Sequence, residues 1–236
     1  MAAVVHPDDV EPIFDRGAEI RTTFEPDSGS ELLHQAVVRL PPGTLDLPPL
    51  DRGQAVLYVA AGVGTLTLDG KRHPLEPETG VFVRAGEQPT LENPGPDDLL
   101  IVGVYTPDAA PGDAAARKVT VRFSEQPEEE ASEERSFRYL INEDAGCVDI
   151  TQFIGIVQPS KAPFHSHPYD EVGYVVEGTG IAHVDGQELP LRAGSCFHLS
   201  PNQVHCIENT GPGAMRIMGV FHPSDSPASR NYPDNN

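Results

Sequence analysis

The chain is organised around Pro163-Phe164-His165-Ser166-His167-Pro168-Tyr169-Asp170-Glu171. Residues two apart on an extended strand project to the same face, so His165 and His167 share one space. Glu171 stands four residues further on, with the same parity, and an extended or gently bulged strand returns its carboxylate to that side. A later segment, Ser200-Pro201-Asn202-Gln203-Val204-His205-Cys206-Ile207-Glu208-Asn209, adds a third imidazole at His205. Three imidazoles and one carboxylate make a site for a first-row divalent ion such as Mn, Fe, Ni or Zn, and one such ion per chain is the predicted cofactor. Four protein ligands leave one or two positions open on it, which is the arrangement of a catalytic rather than a structural ion.

These segments carry a resemblance. The first reads HxHxxxE, then six residues, then Gly178; in the second, Gly194 leads in register to His205 and Asn209. Together they resemble the paired motifs of the cupin superfamily. Three positions depart from that pattern: Pro159 and Asn202 where the family has glycine, and Ser200 where it has proline. Asn is the commonest non-glycine residue at positive φ, so the turn at Asn202 is expected to survive. The resemblance implies an all-β fold, the double-stranded β-helix or jelly-roll barrel. It does not fix the reaction, because cupins with this ligand set include dioxygenases, oxalate decarboxylases and oxidases, sugar isomerases, epimerases and lyases.

An internal repeat sets the number of barrels. Gly178 minus Gly62 is 116, and at that offset the halves align without a gap: Val56-Leu57-Tyr58-Val59 meets Val172-Gly173-Tyr174-Val175, and Pro74-Leu75 meets Pro190-Leu191. Asp69-Gly70 meets Asp185-Gly186, each a type I′ hairpin signal between alternating strands. Two tandem barrels are therefore predicted, a bicupin. An arm over 1–30 precedes a first barrel over 31–110, an acidic linker over 111–136 joins it to the second over 137–224, and a tail over 225–236 wraps the surface or frays. At the same offset His165, His167, Glu171 and His205 face Pro49, Asp51, Ala55 and Pro89. One carboxylate cannot hold a transition metal, so the first barrel is expected to be metal-free.

Composition limits the partners. With 16 basic against 36 acidic residues, a net charge of −20, the chain lacks the basic surface that nucleic acid or an anionic membrane requires. Cys147, Cys196 and Cys206 form no CxxC pair, and residues 1–10 carry no cationic segment followed by an apolar run, so a reducing cytoplasm is the expected location. The expected partners are a small-molecule substrate and a second copy of the chain in a homodimer, which would cover exposed strand edges.

The second copy also carries His183 and His198 where the first has Thr67 and Phe82, and both are candidate catalytic acids or bases. The favoured reading is a metal-dependent enzyme that oxidises a small oxygen-chelating substrate in dioxygenase fashion. The alternatives are a redox-neutral cupin enzyme, that is an isomerase, lyase, decarboxylase or aminohydrolase, and a non-catalytic small-molecule-binding cupin.

Overall fold

A computed structural model of the chain describes residues 3–26, 30, 32–107 and 117–232. The first copy of the repeat supplies β1 (Val4–Val5), β2 (Ile13–Asp15), β3 (Ala18–Phe24), β4 (His34–Leu40), β5 (Gly43–Asp46), β6 (Gln54–Ala61), β7 (Gly64–Leu68), β8 (Lys71–Leu75), β9 (Thr79–Val83), β10 (Thr90–Asn93) and β11 (Leu99–Thr106). The second supplies β12 (Thr120–Arg122), β13 (Glu129–Ser132), β14 (Arg135–Ile141), β15 (Thr151–Val157), β16 (Ser160–Lys161), β17 (Asp170–Glu177), β18 (Thr179–Val184), β19 (Gln187–Arg192), β20 (Cys196–Leu199), β21 (His205–Asn209) and β22 (Met215–His222). Valine-rich alternating runs form the strands, and Gly and Asx residues turn them. At both hairpin turns the central pair has positive φ, 49° and 74° at Asp69-Gly70 and 52° and 74° at Asp185-Gly186, which is the type I′ turn read from the sequence.

Each barrel closes a seven-stranded sheet on a four-stranded one. The first uses the orders β12-β9-β6-β11-β4-β3-β2 and β5-β10-β7-β8; the second uses β1-β20-β17-β22-β15-β14-β13 and β16-β21-β18-β19. The outermost strands are exchanged between the copies. β1 lies on the second barrel, pairing Val4 with Phe197, and β12 lies on the first, pairing Thr120 with Val81. The exchange is reciprocal down to single bonds: the His198 amide donates to the Ala3 carbonyl at 2.9 Å, and the Phe82 amide donates to the Val119 carbonyl at 2.9 Å.

This exchange corrects the expected boundaries. The first thirty residues are not a separate arm, since β1 belongs to the second barrel while β2 and β3 extend the sheet of the first. Residues 111–116 of the acidic segment lie outside the described residues; the rest keeps its glutamates solvent-exposed, as expected, but is paired into the sheets. β12 is built into one sheet and β13, carrying Glu129 and Glu130, pairs with β14 in the other. A hydrophobic core spans both copies and uses equivalent positions of each: Val56, Tyr58, Val102 and Val104 pack with Val172, Tyr174, Met218 and Val220. The first barrel is filled inside by Leu45, Leu57, Leu66 and Leu91, with Ala55 where the second barrel has Glu171. Fully burying each such leucine contributes about 1.5–3 kcal/mol, so the interior of the first barrel is hydrophobic packing.

Candidate metal centre

The stretch preceding β17 runs extended beside the start of β21. His165 and His205 form an isolated antiparallel bridge, donating amide to carbonyl at 3.0 and 2.9 Å in the two directions. That bridge sets their rings on the same side, with centroids 4.5 Å apart; the His167 ring lies 4.8 Å from that of His205. Asn202, which shapes the turn before β21, has φ 63°, so an asparagine does serve where the motif has glycine. Glu171, in the first turn of pleat of β17, brings Oε2 to 2.9 Å from His167 Nε2. All four side chains line one cavity that is partly open to solvent.

Each of the three rings is tethered in the same way. Nδ1 faces a backbone carbonyl: Pro163 for His165 at 3.1 Å, Tyr169 for His167 at 3.0 Å and Gln203 for His205 at 2.8 Å. A carbonyl can only accept, so the ring proton sits on Nδ1 and Nε2 is left with its lone pair. His167 Nε2 is buried without an aligned hydrogen-bond partner, and its lone pair faces the Glu171 carboxylate. Two electron-rich atoms at that distance repel unless a cation or proton lies with them, so the donor set fits a metal ion. Among the described residues no group of three or more His, Cys, Asp or Glu side chains is arranged, as it stands, to hold a metal ion, although these four line one cavity.

At His165, His205 and Glu171 the charge states suit the same ion, while at His167 the Glu171 contact favours a proton that a bound ion would displace. Burial and the neighbouring His205 push the His165 pKa down to about 4, and burial lowers that of His205. Both rings are therefore neutral at neutral pH. Burial works against the Glu171 anion, but its contact with His167 outweighs this and holds the carboxyl below its usual range. Burial likewise works against a charged His167, and the same contact outweighs it and raises that pKa.

Aromatic rings wall the cavity. Tyr169 stacks on His167 with centroids 4.0 Å apart and on Phe221 at 4.2 Å, and Phe153 leans on Phe221 at 5.3 Å. Burial raises the Tyr169 hydroxyl well above its ordinary pKa. Two arginines also line the cavity, Arg135 from the start of β14 and Arg230 from the C-terminal segment. Sequence reasoning had singled out neither. Arg135 closes an acidic run, and Arg230 is a lone cation in a tail of Ser, Pro and Asn; each was an anomaly of local composition.

The two histidines expected to act as acid or base lie elsewhere. His183 sits between Ala182 and Val184, whose side chains fill the barrel, so its ring faces outward, with Nε2 2.7 Å from Glu208 Oε2 and an edge toward Phe164. His198 is likewise flanked by the inward Phe197 and Leu199. Its ring turns to the contact between the barrels, with Nε2 2.7 Å from Asp170 Oδ1 and the ring centroid 5.7 Å from that of Phe24. The alternation of β18 and β20 thus excludes both from the cavity.

Comparison with known proteins places this geometry. A family model described as the cupin domain matches the chain twice, over residues 36–105 and 153–221. The chain belongs to the cupin family. Over 63 residues this bicupin is 30% identical to the oxalate-binding protein of Thermotoga maritima, a match covering 26% of the chain and 52% of that protein, so it spans about half of that relative's length. Over 91 residues it is 33% identical to the L-ectoine synthase of Mycolicibacterium gilvum, covering 38% of the chain and 68% of that protein. Among solved structures, YlbA from E. coli superimposes with a TM-score of 0.77 at 16% identity, covering 94% of this chain and 91% of that one. Bacillus subtilis oxalate decarboxylase, solved in work on its Mn(II) centres, gives 0.76 at 14% identity, covering 95% and 78%. At such identities these structures share the cupin fold. Among the described residues, no helix is long and apolar enough to cross a membrane.

Proposed function

We propose that the second barrel holds one divalent metal ion at His165, His167, Glu171 and His205, and that the protein is an enzyme oxidising a small carboxylate-bearing substrate with dioxygen. The observation that carries this reading is the set of three Nδ1-to-carbonyl tethers, which aims three Nε2 lone pairs and one carboxylate into an otherwise largely apolar cavity. A bound Mn or Fe ion supplies Lewis acidity and a one-electron path between substrate and dioxygen. Phe153, Tyr169 and Phe221 keep water from the reacting end, and Arg135 and Arg230 hold the anionic end. Two proteins with fold or sequence likeness are named for oxalate, and one of them for Mn(II) centres, which supports a small acid as substrate and manganese as one candidate ion.

Oxidation is favoured over isomerisation or elimination by what the cavity lacks. Proton-transfer chemistry needs a general base within reach of the substrate. Among the described residues lining the cavity, the only imidazoles and carboxylates are the four ligands themselves. The Tyr169 hydroxyl, its pKa raised by burial, is no base at neutral pH.

The test is to load the full chain separately with Mn, Fe, Ni and Zn, count bound metal by mass spectrometry, and screen small carboxylates for turnover at an oxygen electrode. Oxygen uptake with Mn or Fe, absent with redox-inert Zn, is the expected result. Equal turnover with Zn or in an oxygen-free chamber would show a redox-neutral reaction and would refute the oxidative reading.

A further inference from the structure

Most arginines of this acidic chain are matched to carboxylates: Arg21 to Glu19, Arg117 to Glu87, Arg138 to Glu128 and Arg216 to Glu78. Among the described residues Arg135 and Arg230 hold no ion pair, although acids outnumber bases 36 to 16. Arg135 uses one amino group on the Ile207 carbonyl at 2.6 Å. Burial, followed by the charge of Arg230, lowers its pKa, and both side chains line the same cavity. Like charges gathered where solvent is restricted are costly unless an anion joins them. We infer, on the metal-centred reading of this pocket, that Arg135 and Arg230 form a clamp for one carboxylate of the substrate, whose other oxygen donors reach the ligand cluster, so that the substrate class is a small dicarboxylate.

The C-terminal segment is built to deliver Arg230. It leaves β22 and is pinned first at Thr151, whose Oγ1 lies 2.7 Å from Ser224 Oγ and donates to the Asp225 carbonyl at 3.0 Å. A turn follows in which the Ser229 amide donates to the Ser226 carbonyl at 2.9 Å and the Ser229 hydroxyl to Asp225 Oδ1 at 2.9 Å. It is pinned again by Asn231 and Ser166, which exchange amide-to-carbonyl bonds of 2.9 and 2.8 Å. Ser166 is the residue between the ligands His165 and His167. The segment is thus a strap fastened to the ligand-bearing strand, and Arg230 lies one residue from the fastening. A guanidinium is suited to this place because its planar fork binds a carboxylate by two parallel hydrogen bonds. The site's net charge points the same way: a divalent ion with one carboxylate ligand keeps +1, and two guanidinium groups raise this to +3, which a dianion offsets more fully than a monoanion does.

Malonate is the probe, with oxalate and succinate as length variants and malonamide as the neutral control. Binding is measured by calorimetry on the metal-loaded full chain, and metal content is measured on the same samples. A lost charge-assisted hydrogen bond corresponds to roughly 10–100-fold in affinity. Arg230→Gln is expected to weaken malonate binding by about that factor with metal content unchanged, Arg230→Lys to recover part of it, and malonamide to bind no better to wild type than to the variant. Arg135→Gln should weaken binding similarly, but its Ile207 contact makes it the less clean test, so Arg230 decides. Unchanged malonate affinity in Arg230→Gln, or no binding of any of the three diacids by wild type, overturns the clamp. The metal-centred reading fails separately: a chain that takes up no metal yet loses malonate affinity in Arg230→Gln keeps the clamp and refutes the metal site.

Discussion

At the scale of the residue, an imidazole becomes a ligand through the nitrogen that its other contact leaves free. His165, His167 and His205 each anchor Nδ1 on a carbonyl two residues away, so the direction of each Nε2 is written into the local chain path. His167→Ala removes the ring that faces both Glu171 and Tyr169 and should strip the metal; a full equivalent retained by the purified variant would contradict the assignment. The three thiols are expected to be inert, because burial pushes Cys147 up to about 11 and Cys196 up to about 12 and also raises Cys206. A colorimetric thiol titration at pH ~8 should find essentially no reactive thiol in the native chain and all three once it is unfolded. That His165, His167, Glu171 and His205 share one cavity was legible in the sequence because spacing and parity act over a few residues. His183 and His198 were misplaced although the same parity was available: Ala182, Val184, Phe197 and Leu199 are the inward residues of their strands. Arg135 and Arg230 were not legible, since they share one cavity only after β14 and the strap converge on it.

At the scale of the element, the repeat explains which glycines matter. Gly62 and Gly178 are equivalent positions with φ of 81° and 95°, and each faces the start of the last strand of its barrel. A Cβ at Gly178 would stand 2.9 Å from Met215 Cα, and one at Gly62 would stand 2.4 Å from the Asp98 carbonyl oxygen. Neither neighbour is a flexible side-chain tip. Replacement by alanine should therefore combine a left-handed backbone penalty of about 1–2 kcal/mol with overpacking of about 1–3 kcal/mol. Gly186, with φ 74° and nothing within 4 Å of its added Cβ, should show the backbone penalty alone. Urea denaturation of the three alanine variants checks the order, and equal losses at Gly178 and Gly186 would mean the close approach is relieved at little cost. The hairpins and repeated strands were readable because turn glycines and alternating valines are local signals. The landing place of β1 was not, because a two-residue strand, Val4–Val5, carries no mark of which barrel it will join.

At the scale of the whole molecule, reciprocal exchange makes two similar barrels into one folding unit. β1 closes the second barrel and β12 the first, so neither copy cut from the chain keeps its full sheet. The core between them is made of residues from both copies, and the contact is completed by the buried His198–Asp170 pair, with Ser30 Oγ donating to Asp170 Oδ2 at 3.4 Å. Phe24 tests how tightly the halves are linked. It is 2% exposed, belongs to the first copy, and packs on the His198 ring of the second. Truncating a buried phenylalanine to alanine typically removes about 3–5 kcal/mol. If the barrels were independent domains, that loss would fall on the first barrel alone, and two transitions would separate. If the shared core and exchanged strands bind them into one cooperative unit, Phe24→Ala should lower the stability of both together. Hydrogen exchange read by mass spectrometry distinguishes these outcomes without a tryptophan, which the chain lacks. Peptides from β6 and β11 and peptides from β17 and β22 are expected to lose protection by the same factor, because opening either pair uncovers the same core. Loss confined to β6 and β11 would show that the second barrel stands alone, and that the exchange of β1 and β12 contributes little to its stability.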